Sequence, residues 1–232
     1  LTFETMKTLD LGKMAYSEAM ALQHRLVARA IADADAPPVL LLVEHDPPVI
    51  TLGRRARREH ILADDATLAA TGTQTVPVKR GGDVTWHGPG QLVAYPIVRL
   101  DRLGLTLRQY VGALEQAVID TVAQLGLQTD RDETAPGVWT GGQKIAAVGV
   151  GVKRWVTYHG LALNVCSDLV AFGQIVPCGL AGRGVTSISR ELGRDVEVAE
   201  AKPLLAGALM HSLGLEAGEP TAAEQAATRG TA

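Results

Sequence analysis

Two proline pairs, Pro37-Pro38 and Pro47-Pro48, box in the apolar run Val39-Leu-Leu-Leu-Val43. Proline removes a backbone donor and interrupts regular structure on either side. The run therefore reads as a short buried strand, with a second short strand at Val49 to Leu52 after the second break. It is the longest apolar run in the chain and falls far below the roughly 20 residues needed to cross a bilayer.

Other elements follow from periodicity. Ala15, Ala19, Leu22, Leu26 and Ala30 recur at three- and four-residue steps and predict a helix from about Met14 to Asp33. Thr75 to Lys79 and Gln91 to Val98 are strand candidates on either side of a glycine-rich loop. Leu107, Val111, Leu114, Val118, Val122 and Leu125 give Thr106 to Leu125 one apolar helical face. Ile145 to Val152 and Val156 to Val165 predict a hairpin around Lys153-Arg154-Trp155. Val198 to Leu213 predicts a last helix, with Pro203 acceptable only near its first turn. From Glu216 the apolar period is lost, so weak order is expected over 216–232 and a catalytic domain over 1–215. The expected fold class is α+β: one domain with a mixed, largely antiparallel sheet flanked by helices.

A chain of 232 residues buries enough surface to need neither disulfides nor a structural metal. Its formal net charge of -3 provides no global basic field, arguing against nucleic acid as the main partner. Leu1 to Asp10 lacks a basic region followed by an apolar stretch, so it does not read as a secretory signal. Two cysteines, Cys166 and Cys178, suit reduced thiols in a cytoplasmic protein without a membrane segment.

The densest chemical signal is Arg80-Gly-Gly-Asp-Val-Thr-Trp-His-Gly-Pro-Gly-Gln91, leading into Leu92-Val-Ala-Tyr-Pro96. Its glycines let backbone amides approach a ligand, and His87 beside Gly88 brings an imidazole to the same space. It is neither a Walker A loop nor a dinucleotide fingerprint. Further signals are Lys144 before an apolar strand, His159 in Thr157-Tyr-His-Gly, and Cys178 between Pro177 and Gly179. Each has a plain structural reading: a solvated strand-edge lysine, a satisfied core histidine, a buried inert cysteine. That last reading fits Cys166 at a strand end, whereas Pro177 and Gly179 can present the Cys178 sulfur at a loop tip.

Together these segments resemble the lipoyl(octanoyl) transferase family. Arg80 to Tyr95 is similar to its signature, with Arg-Gly-Gly, Thr, His, Gln and Tyr in register. Gln143-Lys-Ile-Ala146, His159-Gly-Leu-Ala-Leu-Asn164, Pro177-Cys-Gly179 and Val185-Thr-Ser187 resemble the rest of its active centre. Leu11-Gly12, Tyr16, Gln23, Glu44-His45 and Thr51-Leu-Gly-Arg54 resemble its N-terminal third, so the likeness runs from about residue 8 to residue 213.

The resemblance implies the biotin/lipoate protein ligase catalytic fold and octanoyl transfer from octanoyl-acyl carrier protein to a lysine of lipoyl domains. The implied acceptors are 2-oxoacid dehydrogenase complexes and the glycine cleavage H protein. It assigns catalysis to Cys178 and Lys144. It assigns the acyl site to Arg80, Gly81, Gly82, Asp83, Val84, Thr85, Trp86 and His87, with Ala147, Val148 and Gly149 and with Gly160, Leu161 and Ala162. His159 and Tyr95 are supporting candidates. No cofactor and no metal are implied. The chemistry agrees: an ammonium near a thiol favours the thiolate, a thiolate attacks a thioester, and a neutral lysine can take a proton from an incoming amine. An octanoyl tail buries about six methylenes, on the order of 5 kcal/mol. Competing readings are an ATP-dependent lipoate–protein ligase, a cysteine-dependent lipoyl-domain amidotransferase, and a thioester hydrolase.

Overall fold

The computed structural model describes residues 4–133, 135–177 and 183–220. The chain opens with β1 (Thr5–Met14), α1 (Tyr16–Ala32) and β2 (Val39–His45), a parallel strand pair joined by a helix. β3 (Val49–Leu52), α2 (Asp65–Ala70), β4 (Gln74–Pro77) and β5 (Val84–His87) follow. Next come β6 (Gln91–Ile97), α3 (Leu100–Leu103), α4 (Leu107–Gln124), β7 (Asp130–Arg131) and β8 (Val138–Thr140). β9 (Gln143–Lys153), β10 (Val156–Asn164), α5 (Ile188–Leu192), α6 (Val198–Leu213) and β11 (Glu216–Gly218) complete it.

Eight strands form one mixed sheet in the order β11-β1-β2-β6-β10-β9-β8-β7. The β11-β1 and β1-β2 pairs are parallel and the remaining neighbours antiparallel. β3, β4 and β5 form a second, three-stranded sheet. This is the expected α+β architecture.

The unbroken apolar run of β2 has a plain cause: both faces of its sheet are covered. Leu40 and Leu42 join the core beneath α4 and α6, with Leu92, Leu114 and Leu205. Leu41 and Val43 face α1 and pack with Leu22, Val93 and Tyr95. A separate cluster of Ile50, Leu68, Val84, Trp86, Phe172 and Ile175 fills the small sheet.

Local chemistry explains several boundaries. Thr106 caps α4, its Oγ1 accepting the Gln109 N–H at 3.3 Å, while Gln109 Oε1 accepts the Thr106 N–H at 2.9 Å. The β9–β10 hairpin turns through Arg154 and Trp155 with φ of 48° and 67°, the left-handed pair of a two-residue turn.

Several expectations need correction. Val84–His87 is a strand, not loop; its glycine-rich flanks masked a four-residue element that the second sheet supplies with partners. Leu107, assigned to the buried face of α4, is 47% exposed because it lies in the first turn, beyond the core. Pro203 sits in the second turn of α6, at its sixth residue. Glu216–Gly218, expected to be weakly ordered, pairs with Thr5–Lys7 of β1, a partner invisible to local periodicity. Residues 221–232 of the expected tail lie outside the described residues. Cys166 is exposed, not buried, because β10 ends at Asn164 and the chain turns outward, tied by the Cys166 N–H to Gly90 O at 3.0 Å.

Candidate active site

β9 places Lys144 in the second position of the strand, and there it is only 6% exposed. Its Nζ donates to Pro136 O at 3.0 Å and lies 4.7 Å from the centroid of the Trp139 ring. The Arg183 guanidinium also stacks on Trp139, at 3.7 Å, and pairs with Asp132 at 2.7 Å. Gly137 makes this close approach feasible: its φ is 127°, and a Cβ there would fall 2.5 Å from Ala146 O and 3.3 Å from Lys144 Cε. The solvated strand-edge reading of Lys144 therefore fails.

Cys178 lies outside the described residues, but Pro177 before it and the chain from Arg183 onward can be followed. Pro177 and Val185 border a small cavity with Lys144, Thr85, Ala147, Ala162 and Asn164. Further along the chain, Gly184 O accepts the Lys144 N–H at 3.0 Å, and the Thr186 N–H donates to Lys144 O at 3.0 Å.

Thr85, Ala147 and Ala162 also line a neighbouring cleft between β5, β9 and β10. Of the expected acyl-site residues, Arg80, Gly82, Asp83, Thr85 and His87 line it, together with Ala147, Val148, Gly149, Gly160, Leu161 and Ala162. Tyr95 and His159 line it as well. Val84 and Trp86 do not: alternation along β5 turns them into the core of the small sheet while Thr85 and His87 face the cleft. Gly81 borders a neighbouring, wider opening of about 580 Å³ that also reaches Lys144, Arg55 and Arg57. Gly149 keeps the cleft passable for Arg80, since a Cβ there would stand 3.1 Å from Arg80 Cδ.

A directed hydrogen-bond chain underlies the cleft. Arg80 Nε and Nη2 donate to Thr51 Oγ1 at 3.2 and 2.8 Å. Thr51 Oγ1 lies 3.3 Å from His87 Nε2, and His87 Nδ1 lies 2.7 Å from Gln91 Oε1. Gln91 Oε1 can only accept, so His87 carries its proton on Nδ1 and takes the Thr51 hydroxyl on Nε2. Gln91 Nε2 donates to Asn164 Oδ1 at 2.9 Å, and Asn164 Nδ2 to Thr186 O at 2.9 Å. The chain thus runs from the arginine to the segment pinned against Lys144.

The histidines here are neutral. Burial, with His45, Arg80 and His159 nearby, pushes the His87 pKa well below its usual value. Burial lowers His45 to about 4; its Nδ1–H donates to Met14 O at 3.2 Å, and Nε2 accepts the Tyr95 hydroxyl at 2.7 Å. Burial and Arg80 lower His159 to about 3. His159 also holds a left-handed φ of 56°, fixed by its N–H donating to Gln23 Oε1 at 2.7 Å. With both ring nitrogens engaged, His87 orients its neighbours and does not exchange protons with a substrate.

Tyr16, Val93, Thr51 and His45 belong to this site or its support but were not assigned a role from sequence. Tyr16, His45 and Thr51 lie in the short N-terminal blocks and Val93 within the Arg80 to Tyr95 signature, and these positions carry no chemistry of their own until the fold brings them to the cleft. Among the described residues, no cluster of three or more His, Cys, Asp or Glu side chains could hold a metal ion. No helix among them is long and apolar enough to cross a membrane.

The mixed sheet thus carries a narrow, small-residue cleft, and a small cavity that shares Thr85, Ala147 and Ala162 with it reaches the buried Lys144. Lipoate-protein ligase A bound with ATP has this fold, with a TM-score of 0.75 at 18% identity, covering 97% of this chain and 93% of that one. The chain belongs to the family described as the lipoyl protein ligase A/B catalytic domain, whose model matches residues 15–210. An octanoyltransferase of Geobacter sulfurreducens is 51% identical over 201 residues, 87% of this chain and 82% of the relative. An octanoyltransferase of Syntrophobacter fumaroxidans is 50% identical over 192 residues, 83% of each.

Proposed function

We propose that this chain is an octanoyltransferase that moves an octanoyl group from octanoyl-acyl carrier protein to a lysine of a lipoyl domain, through a thioester on Cys178. The observation that carries the reading is Lys144: a buried lysine in a cavity that adjoins the cleft and is bordered by Pro177, the residue before Cys178. The relatives favour transfer over ATP-dependent ligation, since octanoyltransferases match at about half identity whereas lipoate-protein ligase A matches at 18%.

In the first step the Cys178 thiolate attacks the carrier thioester carbonyl, and the carrier thiolate leaves, taking a proton from the Lys144 ammonium and so leaving Lys144 neutral. In the second, the acceptor lysine amine attacks the acyl-enzyme carbonyl, the Cys178 thiolate leaves, and neutral Lys144 takes the amine proton. The Lys144 charge favours the attacking and leaving thiolate, and Pro136 O aims its ammonium. Glycine-rich backbone beside the cleft supplies N–H donors for the oxyanion. On this reading the acceptors are lipoyl domains of 2-oxoacid dehydrogenase complexes and the glycine cleavage H protein, and the enzyme works in the cytoplasm without a cofactor.

The test is intact-mass analysis after mixing the protein with octanoyl-carrier, without ATP. The expected result is one octanoyl adduct on Cys178 that disappears when a lipoyl domain is added. Acceptor acylation that requires ATP and free octanoate, with no adduct, overturns the reading in favour of a ligase.

A further inference from the structure

The cleft does not end in solid protein. Its far wall is formed by Tyr16 and His159, and both residues also line a second cavity on the other side, bordered by Met20, Val76, Val78 and Tyr158. The cleft has a volume of about 50 Å³ and the cavity behind it about 350 Å³. A thin partition therefore separates a narrow cleft from a much larger space.

The partition stands at a telling distance. Thr85, Ala147 and Ala162 are shared between the cleft and the Lys144 cavity, marking the reactive end. From Ala162 to His159 along β10 is about 10 Å at roughly 3.3 Å per residue. The seven carbon–carbon bonds of an octanoyl group, at about 1.5 Å each, have a contour of at most about 11 Å.

The wall is also weakly fastened. Tyr16 is 5% and His159 3% exposed, yet neither Tyr16 Oη nor His159 Nε2 has a hydrogen-bond partner among the described residues. Tyr16 is the first residue of α1, and Ala15 before it makes no side-chain cap. The ring is held by packing, including edge contact with His45 at 5.1 Å, and not by its hydroxyl.

We infer that Tyr16 and His159 form the wall that sets acyl length, and that removing the Tyr16 ring opens the cleft into the second cavity and admits longer saturated chains. The inference rests on the acyl-transfer reading above. An apolar tail of twelve or more carbons cannot fit before the wall, whereas the cavity behind it, with Met20, Val76 and Val78, offers the apolar contacts that such a tail needs.

The experiment compares octanoyl-, decanoyl-, dodecanoyl- and tetradecanoyl-carrier as donors to one lipoyl domain, reading kcat/KM for each. Tyr16→Ala is expected to raise the dodecanoyl-to-octanoyl ratio by about tenfold or more. Tyr16→Leu, which keeps more core packing, is expected to raise it by less. Val78→Trp fills only the second cavity, so it leaves wild-type octanoyl transfer unchanged and cancels the gain in the double variant. A soluble Tyr16 variant that transfers octanoyl with the wild-type ratio overturns the wall. So does a gain that survives Val78→Trp. Wild-type protein that transfers no octanoyl at all overturns the function itself, and the two failures are thereby distinct.

Discussion

Thr186 donates its N–H to the carbonyl of Lys144 at 3.0 Å, while its own carbonyl accepts Asn164 Nδ2 at 2.9 Å. The segment that follows Cys178 in sequence is thus fastened at Thr186 both to the candidate catalytic lysine and to the polar chain beneath the cleft.

Removing Asn164 breaks that fastening. Asn164→Ala leaves Gln91 Nε2 with only its 3.3 Å contact to Trp86 O and strips Thr186 O of its side-chain donor, both in buried surroundings. The expected loss is about 2 kcal/mol, measured by urea unfolding, together with slower transfer. Gln124→Ala, on the exposed face of α4, is the control and should stay within about 0.5 kcal/mol of wild type. Equal stabilities for the two variants refute the chain.

The two cysteines should separate cleanly. Although Cys166 is exposed, partial desolvation of its thiol and the carboxylates of Glu197, Glu44 and Asp195 raise its pKa, which makes it a poor nucleophile at neutral pH. Cys178→Ala is expected to abolish transfer and the octanoyl adduct, and Cys166→Ala to retain both. Peptide mapping that places the octanoyl group on Cys166 contradicts the assignment.

Lys144 should divide the reaction into its halves. Lys144→Arg keeps the charge but cannot readily release a proton, so Cys178 acylation persists while transfer from preformed acyl-enzyme falls by about 10²-fold or more. Lys144→Met should slow both steps. Single-turnover measurement of each half tests this; wild-type acylation in Lys144→Met with an unshifted pH profile returns Lys144 to a structural role.

Arg54, Arg55, Arg57 and Arg58 are exposed, and Arg55 and Arg57 border the opening that reaches Lys144. Arg57 and Arg58 make exposed ion pairs, with Glu59 at 3.3 Å and Asp65 at 3.8 Å. If an acidic carrier docks there, Arg55→Glu with Arg57→Glu raises the KM for octanoyl-carrier about fivefold at low salt and less at high salt. A KM that ignores both charge and salt leaves the arginines as a solvated loop.

The buried histidines predict a stability profile. An unfolded imidazole takes a proton near pH 6.5, but folded His45 resists until about pH 4 and His159 until about pH 3. Between those values the unfolded state binds more protons, so stability is full above about pH 6.5 and falls as pH drops. The expected slope is up to about 1.4 kcal/mol per pH unit for each buried histidine. Urea unfolding from about pH 7 to about pH 5 measures it, and His45→Gln should flatten it; wild-type stability that is level across this window would falsify the neutral assignment.

Sequence alone determined what depends on neighbours along the chain. The proline-bracketed β2, the apolar period of α4, the β9–β10 hairpin and the glycine-containing blocks at Arg80 and Gly160 that line the cleft were all legible. Their residues carry the signal locally, through dihedral limits, side-chain spacing and glycine content. Tertiary structure decided which face of each block matters. Val84 and Trp86 lie in the same block as Thr85 and His87, and only the pairing of β5 with β3 turns the first two into a core and the others toward the cleft. It also decided that Lys144 is buried beneath Trp139, that Cys166 faces solvent, and that Glu216–Gly218 finds β1. Burial, pairing and hydrogen-bond direction depend on residues brought together from distant parts of the chain, and no local pattern encodes them.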